Sequence, residues 1–434
     1  MLKWKLKVEN FGKIKSACIE PSPLMIFLGD NNSGKSYLMS LIWGLMKNYT
    51  HIFLKEDNYK LESYKNLEEV IDNVLETDSE DNIDNFFRLY EKFLNEILAL
   101  NKDFLVKEIF NKEIQIDKLE IILLKSQKYD EIFCNLRKKS KKESHYLALL
   151  KKYTGDMSLL LEFAEGGLID EYIRNFGLLK YFNLKSPLFL PASRTGFMLT
   201  YKTLLNESIN NAFGSNNEQN SRFTKPIIDF LNKFVNLGTE NNINNKEIVE
   251  FLEQNLLQGR IIKDQSPIKN ISYKPKNMDN DLPLYLTSSL VTEVAPFALF
   301  LNDKDYKTVM IEEPEAHLHL KAQIIMARAI SMLVNKNTNV WLTTHSDTFL
   351  QQINNLIKLN NHPKKEELLN KFGFKENEIL DFNDVRVYEF EIKDGQTTVT
   401  NIKGSNEGFP TPTFNDVLYK LTNEMLDLEE DYDD

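Results

Sequence analysis

Residues 2–9, LKWKLKVE, alternate apolar and polar positions with period two and predict a strand. NFGK (10–13) reads as a turn, and IKSACIE as a second strand. LMIFLG (24–29) is a short apolar run that predicts a buried strand ending at a glycine. SYLMSLIWGLMK (36–47) then takes helical spacing. From 51 to 185 the pattern changes. NLEEVIDNVLETD, NIDNFFRLYEKFLNEILALN and DKLEIILLKSQKYDEIF carry apolar residues at helix spacing, without the sustained heptad of a long coiled coil. This stretch is read as a helical insertion, 51–185, dividing a domain made of 1–50 and 186–434.

Strand character returns in PLFLPASR (187–194), which ends in a proline-containing turn. Helices follow, broken by asparagine-rich patches at 215–221 and 239–247 that read as surface loops. GRIIKD and IKNISYKP predict a hairpin. YKTVMIEE (306–313) and NVWLTTHS (339–346) predict strands, with a helix from about 319 between them. DVRVYEFEIKDGQTTVTNIK predicts a hairpin turning at Asp-Gly, and a last helix leads into the acidic run LDLEEDYDD. The fold class expected is α/β, a mostly parallel sheet with an N-terminal antiparallel β part. No internal repeat is visible.

Composition narrows the class. The chain has 434 residues, 42% hydrophobic and 27% charged, enough for a core without disulfide staples. Its two cysteines, Cys18 and Cys134, are far apart and read as reduced, buried or semi-buried thiols. The net charge of −11 argues against wholesale coating of nucleic acid, which needs a positive face. No run approaches the roughly 18 apolar residues that span a bilayer. The start, MLKWKLKVENF, lacks an apolar signal region. A cytoplasmic protein with no membrane partner is expected.

GDNNSGKS, Gly29 to Ser36, fits G-x-x-x-x-G-K-[ST] without a mismatch. Gly29 and Gly34 let the backbone curl so that amides face phosphate. The helix starting near Lys35 adds its positive end. Lys35 is expected to reach the β- and γ-phosphates of ATP, and the Ser36 hydroxyl to ligate Mg²⁺. Asn32, Ser33 and Tyr37 complete the expected nucleotide contacts. The apolar strand before the loop and the helix after it are the context such a match requires.

The other half of such a site is an apolar strand ending in carboxylates. Val309, Met310 and Ile311 supply the strand, with Glu312 and Glu313 at its tip. Neighbouring strand residues face opposite ways, so the two differ in role. Glu312 is expected to support Mg²⁺ through water, and Glu313 to orient or deprotonate an attacking water. His317 and His319 beside Glu315 could read as a zinc site. Against it, no third well-placed ligand is evident, and residues two apart on a helix do not face one another. His345, at the tip of NVWLTTHS, is either a capping or core histidine or a group at the γ-phosphate and attacking water. The two other site elements favour the latter.

Taken together, the phosphate loop, IEEPEAHLH and TTHSDTFL about 30 residues later resemble the ABC-class ATPases, nearest in pattern to the SMC-like and OLD-like ATPases of bacterial defence and repair. In that class the strand usually ends Asp-Glu-Pro-Glu and the following run is His-Leu-His-Pro. Here Glu312 replaces the Asp and Leu320 the Pro. His345 matches the switch histidine. The class also has a signature loop opening a helix before the acidic strand, which contacts the γ-phosphate held by the opposite subunit. TSSLVTE (287–293) occupies that place, and Ser288 and Ser289 would supply its hydroxyls. The usual glycines are missing, and an ordinary serine N-cap is the alternative. PASRTGF (191–197) is similar to a stretch in defence-type members, where Arg194 would approach a phosphate or sense the dimer; a surface arginine is the alternative.

The resemblance implies ATP and Mg²⁺ as cofactors, slow hydrolysis, and a homodimer or higher even assembly sandwiching two nucleotides. OLD-type nucleases append a metal-dependent nuclease domain. The residues after His345 hold no convincing strand-end Glu with Asp-x-Asp, since Asp381 and Asp384 read as a turn. An effector protein in trans, such as a nuclease, is therefore expected, in antiphage defence. The alternatives are a DNA repair or maintenance ATPase, for which RKKSKK (137–142) could touch DNA, and a nucleotide-gated scaffold with little turnover.

Overall fold

The structure is a computed structural model that describes residues 3–53, 55–76, 80–124, 187–213, 223–238, 242–266, 270–410 and 420–428. It divides into two compact units. The first comprises 1–21, 38–187 and 393–399; the second comprises 22–37, 188–392 and 400–434. RKKSKK and Cys134 lie outside the described residues.

In the first unit, β1 (Lys3–Phe11) is flanked by antiparallel partners. β2 (Ile14–Ile19) pairs with it from Leu6↔Ile19 to Phe11↔Ile14. β4 (Lys118–Leu124) pairs on the other side, from Lys3↔Leu124 to Glu9↔Lys118. The alternation read from the sequence is realised: Leu6, Val8 and Phe11 are fully buried, while Lys7 and Glu9 pair at 2.6 Å on the outer face. Cys18 is exposed on that face, not semi-buried. β12 (Gln396–Asn401) runs parallel to β2. It follows a two-residue turn at Asp394 and Gly395, both with positive φ (52° and 78°), the conformation Asp-Gly supplies in hairpin turns.

The segment 51–185 differs from a purely helical insertion. α1 (Lys35–Phe53) runs through the expected boundary, and α2 (Glu62–Glu76) and α3 (Glu80–Phe110) are helical as read. DKLEIILL, read at helix spacing, is instead the strand β4. Leu119 and Ile121 alternate inward, and a short apolar run cannot be divided between helix and strand by period alone. What decides it is pairing with β1 plus side chains of α3 that saturate the free edge. Asn95 bonds both the N–H (2.7 Å) and the C=O (2.9 Å) of Ile121, and Glu91 accepts from the Leu123 N–H at 2.7 Å. An edge strand so covered is closed to further pairing.

The second unit holds a parallel sheet. Its strands are β3 (Leu24–Gly29), β5 (Leu188–Leu190), β9 (Thr308–Glu312), β10 (Asn339–Thr344) and β11 (Val385–Lys393). The order is β11-β3-β10-β9-β5, with Leu24 opposite both Val385 and Val340, and Val309 opposite Val340 and Leu188. LMIFL and TVMI are buried on both faces, as a parallel sheet covered by helices requires. Because the strands are parallel, Gly29, Glu312 and Thr344 end on one edge, where open α/β sheets bind ligands.

Five helices of this unit bear on the site or its surroundings: α4 (Arg194–Phe213), α5 (Lys225–Val235), α6 (Lys246–Leu252), α7 (Ser289–Asp303) and α8 (Leu320–Asn335). α9 (Asp347–Asn360) follows β10. A separate antiparallel sheet contains the expected hairpin, β6 (Gly259–Lys263) with β7 (Ile271–Pro275), extended by β8 (Leu282–Pro283). Among the described residues no helix is long and apolar enough to cross a membrane.

Candidate functional site

The chain leaves β3 through Gly29, whose φ is +141° and whose imagined Cβ would lie 2.6 Å from the Phe390 carbonyl oxygen. No other residue fits there. Asn32 (φ 62°) and Gly34 (φ 97°) are also left-handed, on either side of buried Ser33. The loop therefore folds back on itself before α1 begins at Lys35. Lys35 is only 5% exposed. Its ammonium donates to the carbonyls of Gly29 (2.8 Å) and Asp30 (2.7 Å) and to Ser33 Oγ (3.4 Å). Burial pushes the Lys35 amine down to about 8, against the opposing pull of Glu313, Asp30 and Glu315. Asn32 and Tyr37 stand on the open side of the loop.

The two carboxylates are built differently, not by strand alternation but because β9 ends at Glu312 and Glu313 has already left it. Glu312 is buried and accepts the Ala192 N–H at 3.1 Å. Burial raises its pKa, and hydrogen bonds from the Ser36 hydroxyl and the Ala192 amide oppose the rise. Glu313 turns out of the strand with φ +45°, a conformation non-glycine residues occupy sparingly and mostly under structural constraint. Its N–H donates to the Thr343 carbonyl of β10 at 3.0 Å. Its side chain is 37% exposed, and Oε1 lies 3.6 Å from His345 Nε2. The His345 contact holds the Glu313 carboxyl below its ordinary range, with burial opposing and Lys35 assisting. Loop and strand tip thus lie at the same end of the sheet, on either side of β10, where the Ser36 hydroxyl acts on Glu312 and Lys35 and Glu313 feel each other's charge.

Ser36 and Glu312 offer hard oxygen donors side by side, a set that suits Mg²⁺ once phosphate and water oxygens complete it. A buried carboxylate whose pKa burial raises is also one a cation would stabilise. Among the described residues no three His, Cys, Asp or Glu side chains converge on a metal position. His317 lies 4.0 Å from Glu293, and His319 precedes α8 as its N-cap.

Glu315 has a role the sequence did not reveal. Its Oε1 accepts the Thr344 hydroxyl and the His345 N–H, each at 2.7 Å, and so fixes the end of β10 where His345 stands. Burial raises the Glu315 pKa. Ser288 and Ser289 stand apart from this cluster. Both are exposed; Ser288 caps α7 with a long 3.5 Å bond from the Val291 N–H, and the Ser289 carbonyl accepts from Thr292 Oγ1.

Arg194 is not on the surface, and its guanidinium is engaged by protein carbonyls. It is 2% exposed. Nη1 donates to the carbonyls of Pro191 (3.1 Å) and Glu312 (2.6 Å), and Nη2 to that of Glu313 (3.0 Å). Nε donates to the Glu293 carbonyl at 3.1 Å and lies 3.0 Å from Glu293 Oε2. The sequence singled it out only through the resemblance of PASRTGF, not through the burial and carbonyl contacts it has here.

A strand, a glycine-bearing phosphate loop, a helix and a neighbouring acidic strand tip define the nucleotide site of a P-loop ATPase. The model of the AAA ATPase domain family matches residues 1–350, and the chain belongs to that family. No curated protein matches it. Among solved structures, it is similar to an SMC head bound to the C-winged helix domain of ScpA, at 10% identity over 93% of this chain and 98% of that one, TM-score 0.39. It is also similar to the Smc head domain with an extended coiled coil bound to the C-terminal domain of ScpA derived from Pyrococcus furiosus (13%, 99% and 99%, 0.36). A third is the SMC head domain from Thermotoga maritima (11%, 93% and 100%, 0.34).

Proposed function

We propose that the chain is a cytoplasmic, ABC-type ATPase that binds Mg-ATP on Gly29–Tyr37, closes as a homodimer or higher even assembly, and hydrolyses the nucleotide slowly. The observation that carries this reading is that the phosphate loop leaving β3 and the Glu312–Glu313 tip of β9 lie at the same end of one parallel sheet, on either side of β10. Lys35 holds the β- and γ-phosphates. Ser36 directly, and Glu312 through water, would hold Mg²⁺, whose chemistry there would be to neutralise charge on the triphosphate. Glu313, its carboxylate ionised at neutral pH, takes the proton of the attacking water, and His345 bonds that water or the γ-phosphate. Ser288 and Ser289 of a second copy complete the site at the exposed start of α7.

Glu313→Gln is the deciding variant. ATP affinity should persist while steady-state turnover falls at least about 100-fold. Wild-type turnover in that variant would leave the nucleotide-gated scaffold as the better reading. We further propose that nucleotide state controls an effector protein in trans, in antiphage defence. Its support is the motif resemblance to defence-type ATPases. Copurification from the native host, with and without Lys35→Ala, tests it: a companion released or retained according to nucleotide state is expected. A salt-dependent DNA affinity lost on neutralising Arg137 to Lys142 would favour the repair reading instead.

A further inference from the structure

One guanidinium joins three segments far apart in sequence: the exit of β5 at Pro191, the first turns of α7 at Glu293, and the catalytic tip at Glu312 and Glu313. Burying an arginine is costly unless every donor direction is matched, and apolar packing would bind the same segments at less cost. What apolar packing cannot do is fix two successive carbonyls in a plane, which the rigid fork of arginine does. Those carbonyls belong to the two peptides on either side of the Glu313 Cα, whose φ is left-handed. A second link runs beside the first. The Thr195 N–H donates to Glu293 Oε1 at 3.0 Å, and the Thr195 and Thr292 hydroxyls lie 2.8 Å apart. Glu293 is five residues into the helix that Ser288 caps, about 7 Å along a rigid rod. The exposed end is thus connected, through Glu293 and Arg194, to the backbone of Glu313.

We propose that Arg194, locked to Glu293, is a positioning residue that sets the Glu313 carboxylate for hydrolysis and transmits engagement of the α7 start to it. This rests on the reading of Glu313 as the group that takes the water's proton. The test is steady-state hydrolysis, ATP affinity and thermal melting of Arg194→Lys and Glu293→Gln, with Glu313→Gln alongside. Lysine keeps the charge but not the fork; glutamine keeps the shape but not the charge. For Arg194→Lys we expect turnover to fall on the order of 100-fold, since an ångström of misplacement is enough for that. KM should stay within about twofold of wild type, because Lys35 and Ser36 are untouched. Combining Ser288→Ala with Arg194→Lys should cost less than the product of the single effects. Turnover, KM and melting temperature shifting together would make Arg194 a structural tie only, and purely additive effects would overturn the transmission. If Arg194→Lys does not fold, the same expectations apply to Glu293→Gln. Wild-type turnover in Arg194→Lys and Glu293→Gln with loss in Glu313→Gln overturns the brace alone. Wild-type turnover in all three overturns the hydrolysis reading beneath it.

Discussion

The tip of β9 and the start of α7 belong to the same unit, are braced by the same arginine, and are built in opposite ways. At the tip, Glu312, Lys35 and Arg194 are buried and their polar atoms are bonded in place within a single chain. At the helix start, Ser288 and Ser289 are exposed, their bonds stay within their own helix, and Tyr285 and Leu286 beside them are 73% and 61% exposed. The difference separates two tasks. Groups that meet developing charge must be oriented before the reaction, because reorganising them during it raises the barrier. Groups that serve a second copy have to stay on the surface until it arrives. On the proposed reading, the single chain carries the nucleotide-binding half complete and presents the other half outward.

Removing the lysine attacks the prepared half and should have the largest effect. Lys35→Ala deletes a charge-assisted contact to phosphate and leaves the Gly29 and Asp30 carbonyls without their donor. At about 1.5–3 kcal/mol for a hydrogen bond to a charged group, more than one such contact should weaken ATP binding at least about 100-fold in titration calorimetry. Retained affinity would remove the phosphate-loop assignment. Next in size, Ser288→Arg attacks only the outward half. Nucleotide should still bind the monomer with affinity within about twofold of wild type, while ATP-driven dimerisation, followed by sedimentation, is lost. A closed ATP dimer surviving that change would take Ser288 out of the interface.

The same contrast explains what the sequence disclosed. β3, its loop and α1 were legible because a glycine-bearing pattern is local: Gly29, Gly34 and Lys35 need no distant residue to be recognised. The tips of β9 and β10 were legible because apolar runs ending in Glu312 and His345 follow a pattern, and a parallel sheet places such ends together. Arg194 and Glu315 were not legible as what they are. Their partners lie about 100 and 30 residues away, and their meaning is burial, which sequence spacing does not carry. β4 failed for the same reason, since LEIILL is decided by β1 and by Asn95, not by its own period. Ser288 stands between these cases, legible as a helix cap and undecided as more.

A pH titration sharpens the contrast with the smallest perturbation, because the prepared half contains Lys35, a buried amine in the phosphate loop itself. In the free protein the Lys35 amine is pushed down to about 8 by burial. A bound triphosphate holds opposite charge against it and raises that value. Binding therefore takes up a proton wherever the free amine is neutral and the bound one charged. The sign follows: ATP affinity is level below pH 8 and falls above it, by up to about tenfold per pH unit, until the bound-state value is passed. The triphosphate is already fully ionised in that window, so the slope belongs to the protein. Stability moves the other way. The folded-state value lies below the ordinary lysine range, so the unfolded chain binds more protons between them, and the nucleotide-free protein gains stability from Lys35 as pH rises from 8 toward 10. Affinity measured at several pH values on monomeric Ser288→Arg should reproduce the wild-type slope, since that variant leaves Lys35 in place. A flat profile across pH 8 to 9.5 would mean that the Lys35 ammonium is solvated in the free protein, and that the phosphate half is no better prepared than the other.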